Sequence, residues 1–152
     1  MLGELNDSEV ESVLHNQVIG RIGCSNQDNM FVVPITYAYD GTYIYCHSKE
    51  GMKIEMMRNN RSVCFEVDQI TDMTNWKSVI LWGTYEELKD DEARKIGIQI
   101  FADRMKPLVA SETIGPMMRQ PEPHPSGALS KPVFFRIKVT KKTGRFERPN
   151  RY

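Results

Sequence analysis

No apolar run in this chain approaches the roughly 18 residues that a membrane-spanning helix requires, so no membrane span is expected. Net charge is missing too: 20 Lys and Arg balance 20 Asp and Glu. Without an excess of either sign, no long-range field recruits nucleic acid or an anionic membrane. Cysteine is scarce, with Cys24, Cys46 and Cys64 standing singly in apolar segments and no CxxC pair. That arrangement suits buried thiols in a reducing compartment and argues against a metal spacing. His15, His47 and His124 lie far apart, with no HxH or HxxxH pair, so no metal is expected. The opening MLGELNDSEVES is acidic and lacks the apolar centre of a secretory signal, which makes a cytoplasmic location the expectation.

What is present fits one domain over 1–152. At 152 residues, 40% hydrophobic and 26% charged, the chain is long enough to bury a core of its own. Ser8-Glu9-Val10-Glu11 reads as a capping box for a short helix with Val10, Val13 and Leu14 on its apolar stripe. VIGRIGCS and MFVVPITYAY read as strands joined by a polar turn at 25–29. Asp40-Gly41 is a hairpin signal returning the chain into TYIYCHS. A short helix over 51–58, the strands SVCFEVD and SVILWGTYEEL, and a helix opening at Asp90-Asp91 follow. That helix places Ala93, Ile96, Gly97, Ile100, Phe101 and Arg104 at helical spacing. From 106 to 131 five prolines make the chain loop-like, long enough to suggest a functional flap or a wrapping segment. VFFRIKVT closes the chain with Val133, Phe135, Ile137 and Val139 inward and Phe134, Arg136 and Lys138 outward. Six strands with hairpin turns and few helices predict a mainly β protein, a small antiparallel barrel or sandwich.

The most informative stretch is YIYCHSKEGMKIEMM, Tyr43 to Met57. Alternation puts Tyr43, Tyr45 and His47 on one face of the strand and Ile44, Cys46 and Ser48 on the other. Ser48 ends the strand, Gly51 lets backbone approach closely, and Lys53 falls in the first helical turn. A helix N-terminus with a hydroxyl and an ammonium beside it suits a phosphate; the same residues also fit an ordinary capped helix with a solvated lysine. His47 fits either a structural hydrogen-bonder or a catalytic group. Pro34, inside a strand, marks an edge, a bulge or backbone facing a ligand. Trp82 reads as a core or dimer-interface residue, and Trp76-Lys77-Ser78 as either a ligand-lining corner or a surface one.

Three segments taken together, VVPITYAYDGTYIYCHSKEGMKIEMMRNNRSVCFEVD, NWKSVILWGTYEEL and FFRIKVTKKTGR, resemble the pyridoxamine 5′-phosphate oxidase-like flavoproteins. The likeness runs from Val18 to Arg145 and is strongest to the nitroimidazole-resistance branch. It implies a six-stranded antiparallel split β-barrel of the FMN-binding type and a homodimer with FMN between its subunits. By matching position, Ser48 and Lys53 would hold the phosphate, and Val33, Pro34, Ile35 and Thr36 would run along the isoalloxazine. His47 would stand near the flavin as the catalytic candidate, and Ser78 on the flavin side of its strand. Two departures stand out: Met52 replaces the arginine that precedes the phosphate lysine in vitamin B6 oxidases, and TGRFERPNRY lacks their substrate-binding pattern. Vitamin B6 oxidation is therefore not expected, and no residue set marks a haem-degrading variant. The resemblance implies reduction of a small planar acceptor, a nitroaromatic or a quinone, with NAD(P)H docking transiently at the flavin. The alternatives are a non-catalytic flavin or haem carrier, or a barrel with no cofactor.

Overall fold

In the computed structural model, which describes residues 1–109 and 132–150, eight strands form one antiparallel sheet with three helices around it. The strands are β1 (Leu2–Glu4), β2 (Ile19–Asn26), β3 (Asn29–Thr36), β4 (Ala38–Tyr39), β5 (Tyr43–Ser48), β6 (Ser62–Asp72), β7 (Asn75–Glu87) and β8 (Val133–Glu147). The helices are α1 (Asp7–Asn16), α2 (Met52–Asn59) and α3 (Asp91–Val109). The spatial order is β3-β2-β6-β7-β8-β5-β4, with β1 paired to β8. The sheet is thus mainly β and open at β3 and β4, as a split barrel is.

The strand count differs from six for a local reason. The run from Met30 to Tyr39 breaks at Tyr37, whose N–H turns to the Val18 carbonyl at 2.9 Å, leaving β4 as a two-residue strand. The other addition, β1, has three residues and no apolar alternation to announce it. Three boundaries also move. Asn6, not Ser8, caps α1: its side chain accepts from the Glu9 N–H at 2.9 Å while Glu9 reaches back to the Asn6 N–H. The turn after β2 narrows, because Asn26 pairs with Asn29 and only Gln27 and Asp28 lie between, Gln27 at φ 55°. α3 runs on through Pro107 to Val109, so the start of the expected loop is helical; the rest of that segment, 110–131, lies outside the described residues.

The main core fills the barrel. Ile22, Tyr37, Ile44, Phe65, Leu81, Phe135 and Ile137 are all fully buried, joined by Leu14 of α1 and by Ile54 and Met57 of α2. Burying each such large side chain contributes about 1.5–3 kcal/mol. A smaller cluster of Ala38, Tyr45 and Leu88 lies on the outer side of the sheet, covered by Ala93, Ile100 and Phe101 of α3. Ile96 stands outside that contact, 54% exposed, contrary to its helical spacing. Gly83 permits the close passage of β7 over β8, since a Cβ there would lie 2.4 Å from the Lys138 carbonyl oxygen. The register shifts at that point, Trp82 facing Lys141 and Gly83 facing Val139, which leaves Thr140 bulged and lets β8 continue to Glu147. Gly41, at φ +97°, supplies the left-handed turn between β4 and β5, where Asp40 Oδ1 accepts from the Thr42 and Tyr43 N–H groups. Among the described residues no helix is long and apolar enough to cross a membrane.

Candidate functional site

β5 delivers its last two residues to opposite sides of the sheet. Ser48, level with Val133 of β8, shares the inward parity of Ile44 and Cys46; His47, level with Phe134, faces outward toward α3. Ser48 does not cap α2. Its hydroxyl donates to the Lys49 carbonyl at 3.1 Å and accepts a hydrogen bond from the Lys53 ammonium. The N-cap of α2 is Gly51, in extended conformation and without any side-chain cap. Its first N–H groups are therefore without a helical partner or a capping oxygen. Among the described residues nothing lies within 4 Å of a Cβ built on Gly51, so none of them closes the approach to that helix end. An uncapped N-terminus, an open approach, a hydroxyl and an ammonium held together form a donor set that fits a phosphate.

Lys53 is half-buried, and its charge acts on two thiols. Burial pushes the Cys24 and Cys46 thiols up, and the Lys53 charge opposes that shift at both. Cys64 is partly exposed, and all three thiols are free. The buried, neutral thiols place no negative charge beside the ammonium, which keeps its attraction for an anion.

Among the described residues β3 is an edge strand paired only with β2, which accounts for Pro34: its missing N–H faces no second described strand. The four residues of its central run divide between two faces. Val33 and Ile35, level with Ile22 and Gly20, pack on the main core, whereas Pro34 and Thr36, level with Arg21 and Ile19, lie on the outer face. Ser78 is on that outer face as well and donates to Glu66 Oε1 at 2.9 Å. Arg21 binds the same carboxylate at 3.2 Å and Asp68 at 2.6 Å, so Ser78 belongs to a charged cluster in the middle of the sheet. Around the cluster the outer face carries exposed apolar side chains: Met30 at 84%, Val32 at 69% and Trp82 at 39%. A groove of about 480 Å³ runs along Met30, Val32, Cys64, Trp82 and Thr84.

His47 packs edge-on against Phe101 of α3, ring centroids 4.8 Å apart, and beside Phe134 at 5.4 Å. Part of the residue is open to solvent, yet the two aromatic rings withhold water from the imidazole and lower its pKa below the usual value. The ring is therefore neutral at pH 7 and offers one N–H donor and one bare nitrogen.

The structure thus brings Ser48 and Lys53 together at α2, sets Pro34, Thr36 and Ser78 on the outer sheet face, and turns His47 toward α3. A second cavity, about 340 Å³ and lined by Asp7, Thr42, Thr140 and Lys141, shares no residue with any of these groups. Sequence reading missed Arg21, Glu66 and the aromatic partners of His47. Strand register is the signal for the Arg21–Glu66 pair, 45 residues apart, and for Phe134 beside His47, whereas Phe101 reaches His47 only through the packing of α3.

The chain matches the family model described as pyridoxamine 5′-phosphate oxidase over residues 6–146. An FAD-binding protein from Mesorhizobium loti is 32% identical, with 96% of this chain and 98% of that one superposing at a TM-score of 0.77. The FAD binding protein from Mycobacterium smegmatis, 21% identical, covers 97% of this chain and 100% of its own at 0.68. A structure from Bacteroides thetaiotaomicron, assigned to 5-nitroimidazole antibiotic resistance and 19% identical, covers 96% and 87% at 0.70. These two share the fold. In sequence, the uncharacterized protein RA0666 of Rhizobium meliloti (strain 1021) is 36% identical over 84 residues; the match spans 55% of this chain and 56% of that relative. With the family model matched from α1 to the end of β8 on a split-barrel fold, this chain belongs to the pyridoxamine 5′-phosphate oxidase family.

Proposed function

We propose that the chain binds a flavin nucleotide through its FMN moiety and uses it to reduce a small planar acceptor. The observation that carries this reading is the Lys53–Ser48 pair at the uncapped, open N-terminus of α2. Family membership and the flavin-binding relatives support it. A bound flavin supplies reversible one- or two-electron transfer, and the protein binds it, orients it and controls access. In this reading Lys53 and Ser48 hold the phosphate. The β3 edge around Pro34 and Thr36 lies along the ring system, and Ser78, held by Glu66, gives a polar contact on the outer face.

The Ser48–Lys53 pair and the Pro34–Ser78 face lie on different sides of the sheet, so one chain supplies only part of a nucleotide site. The reading therefore includes a homodimer in which the apolar outer face around Met30, Val32 and Trp82 meets a second copy and completes the site. His47, neutral at pH 7, serves there as a hydrogen-bond donor to a substrate oxygen in place of a stored proton.

The net reaction is NAD(P)H plus one proton reducing a quinone to a hydroquinone and leaving NAD(P)⁺. A nitro group accepts electrons from the same donor. Mixing the flavin-loaded protein with NAD(P)H and menadione or a nitroimidazole tests the chemistry. Acceptor-dependent NAD(P)H oxidation above a free-flavin control is the expected result. Loaded protein no faster than free flavin contradicts the enzyme reading and leaves a carrier.

A further inference from the structure

Glu50 stands directly before Gly51, the N-cap of α2, where a carboxylate would compete with any anion drawn to Lys53. The fold pulls that carboxylate aside. Arg58, in the last turn of α2, takes both Glu50 oxygens in a fork: Nη1 donates to Oε2 at 2.9 Å and Nη2 to Oε1 at 2.8 Å. Its Nε donates to Glu87 Oε1, at the end of β7, at 2.7 Å, and the Tyr85 hydroxyl donates to that oxygen at 2.8 Å.

Geometry fixes where the pair sits. Glu50 lies just before the helix, and Met52 to Arg58 spans about 9 Å of helical rise, so the fork draws the Glu50 carboxylate toward the Arg58 end of α2. Glu87 is the enclosed end of the chain of contacts, 15% exposed against 52% for Glu50. The Arg58 hydrogen bond also holds the Glu87 carboxyl below its ordinary range. A planar, bidentate guanidinium sets direction as well as distance, which a lysine at 58 would not do.

We propose that Arg58 is a positioning residue for the phosphate end of the flavin site. Anchored on Glu87, it turns the Glu50 carboxylate away from the α2 N-terminus, so Ser48, Lys53 and the free N–H groups meet an anion without Glu50 beside them, and Glu55 is the acid left in the first turn. This rests on the flavin reading above.

The test compares affinities of the flavin-stripped, full-length chain for FMN and for riboflavin, which lacks the phosphate. Wild type binds FMN more tightly than riboflavin. Arg58→Ala weakens FMN by about fivefold, the upper range for an exposed ion pair, and leaves riboflavin unchanged. Adding Glu50→Gln to Arg58→Ala restores most of the FMN affinity, because the freed acid is gone. Arg58→Lys, a milder change to the fold, loses less FMN affinity and is rescued in the same way. Equal losses for both ligands, or a double variant as weak as Arg58→Ala, reduce Arg58 to a structural tie and overturn the proposal. Wild type binding FMN and riboflavin equally overturns the phosphate reading, and this inference with it.

Discussion

The Lys53 ammonium donates to the Ser48 hydroxyl, and its charge acts on the Cys24 and Cys46 thiols, opposing the rise that burial causes at both. A charge-assisted hydrogen bond is worth about 1.5–3 kcal/mol, so Lys53→Ala should weaken FMN binding by about one to two decades. Riboflavin binding should change little, and fluorescence titration with both ligands checks this. His47 has a different signature. Its pKa in the folded chain is lowered from 6.5 by desolvation against Phe101 and Phe134. The unfolded chain therefore takes up a proton first as pH falls. The stability this neutral ring contributes is complete above about pH 6.5 and is lost as pH falls through the folded value. Urea midpoints at pH 7.5 and 5.5 should differ less in His47→Phe than in wild type. An unchanged difference would place the acid sensitivity elsewhere.

At the scale of elements, β7 and β8 are long, twisted and joined by a bulge that depends on Gly83. Gly83→Ala sets a Cβ against the Lys138 carbonyl, a backbone atom that cannot rotate aside. The expected loss is about 1–3 kcal/mol, read as a lower denaturant midpoint; a midpoint equal to wild type would mean the bulge relaxes freely. The inward set of β8 was readable from alternation alone: Val133, Phe135 and Ile137 are buried as expected. So was the hairpin at Asp40-Gly41. The three-residue β1 and two-residue β4 were not, because short pairings are dictated by the neighbouring strand and leave no periodic pattern. The cap at Asn6 escaped because Asn6-x-x-Glu9 and Ser8-x-x-Glu11 are equally good local patterns, and packing of Val10 and Val13 chooses between them. Of the site, Ser48 and Lys53 were legible because they stand only five positions apart in sequence. The Arg58–Glu87 link spans 29 residues and exists only through the fold.

For the whole molecule, the outer sheet face is the feature that one chain leaves unresolved. Met30 and Val32 on β3 and Ile80 and Trp82 on β7 are exposed on the same face, where register across β2 and β6 aligns Val32, Gly23, Cys64 and Trp82 in one row. Light scattering should give twice the 17.6 kDa chain mass for the flavin-loaded protein. Val32→Asp, which places a charge in that row, should shift it toward monomer and weaken flavin binding together. A flavin-loaded monomer would separate the two properties and place the whole site within one chain.

The most direct test of the account is the chromophore of freshly purified protein. Its absorption spectrum should show the two flavin bands in the near-ultraviolet and blue, and heat denaturation should release a flavin that chromatography identifies as FMN. Release of FAD would keep the flavin site and extend the ligand beyond the phosphate that Ser48 and Lys53 hold. A colourless protein that also fails to bind FMN on titration would contradict the central claim that the α2 N-terminus is a flavin phosphate site.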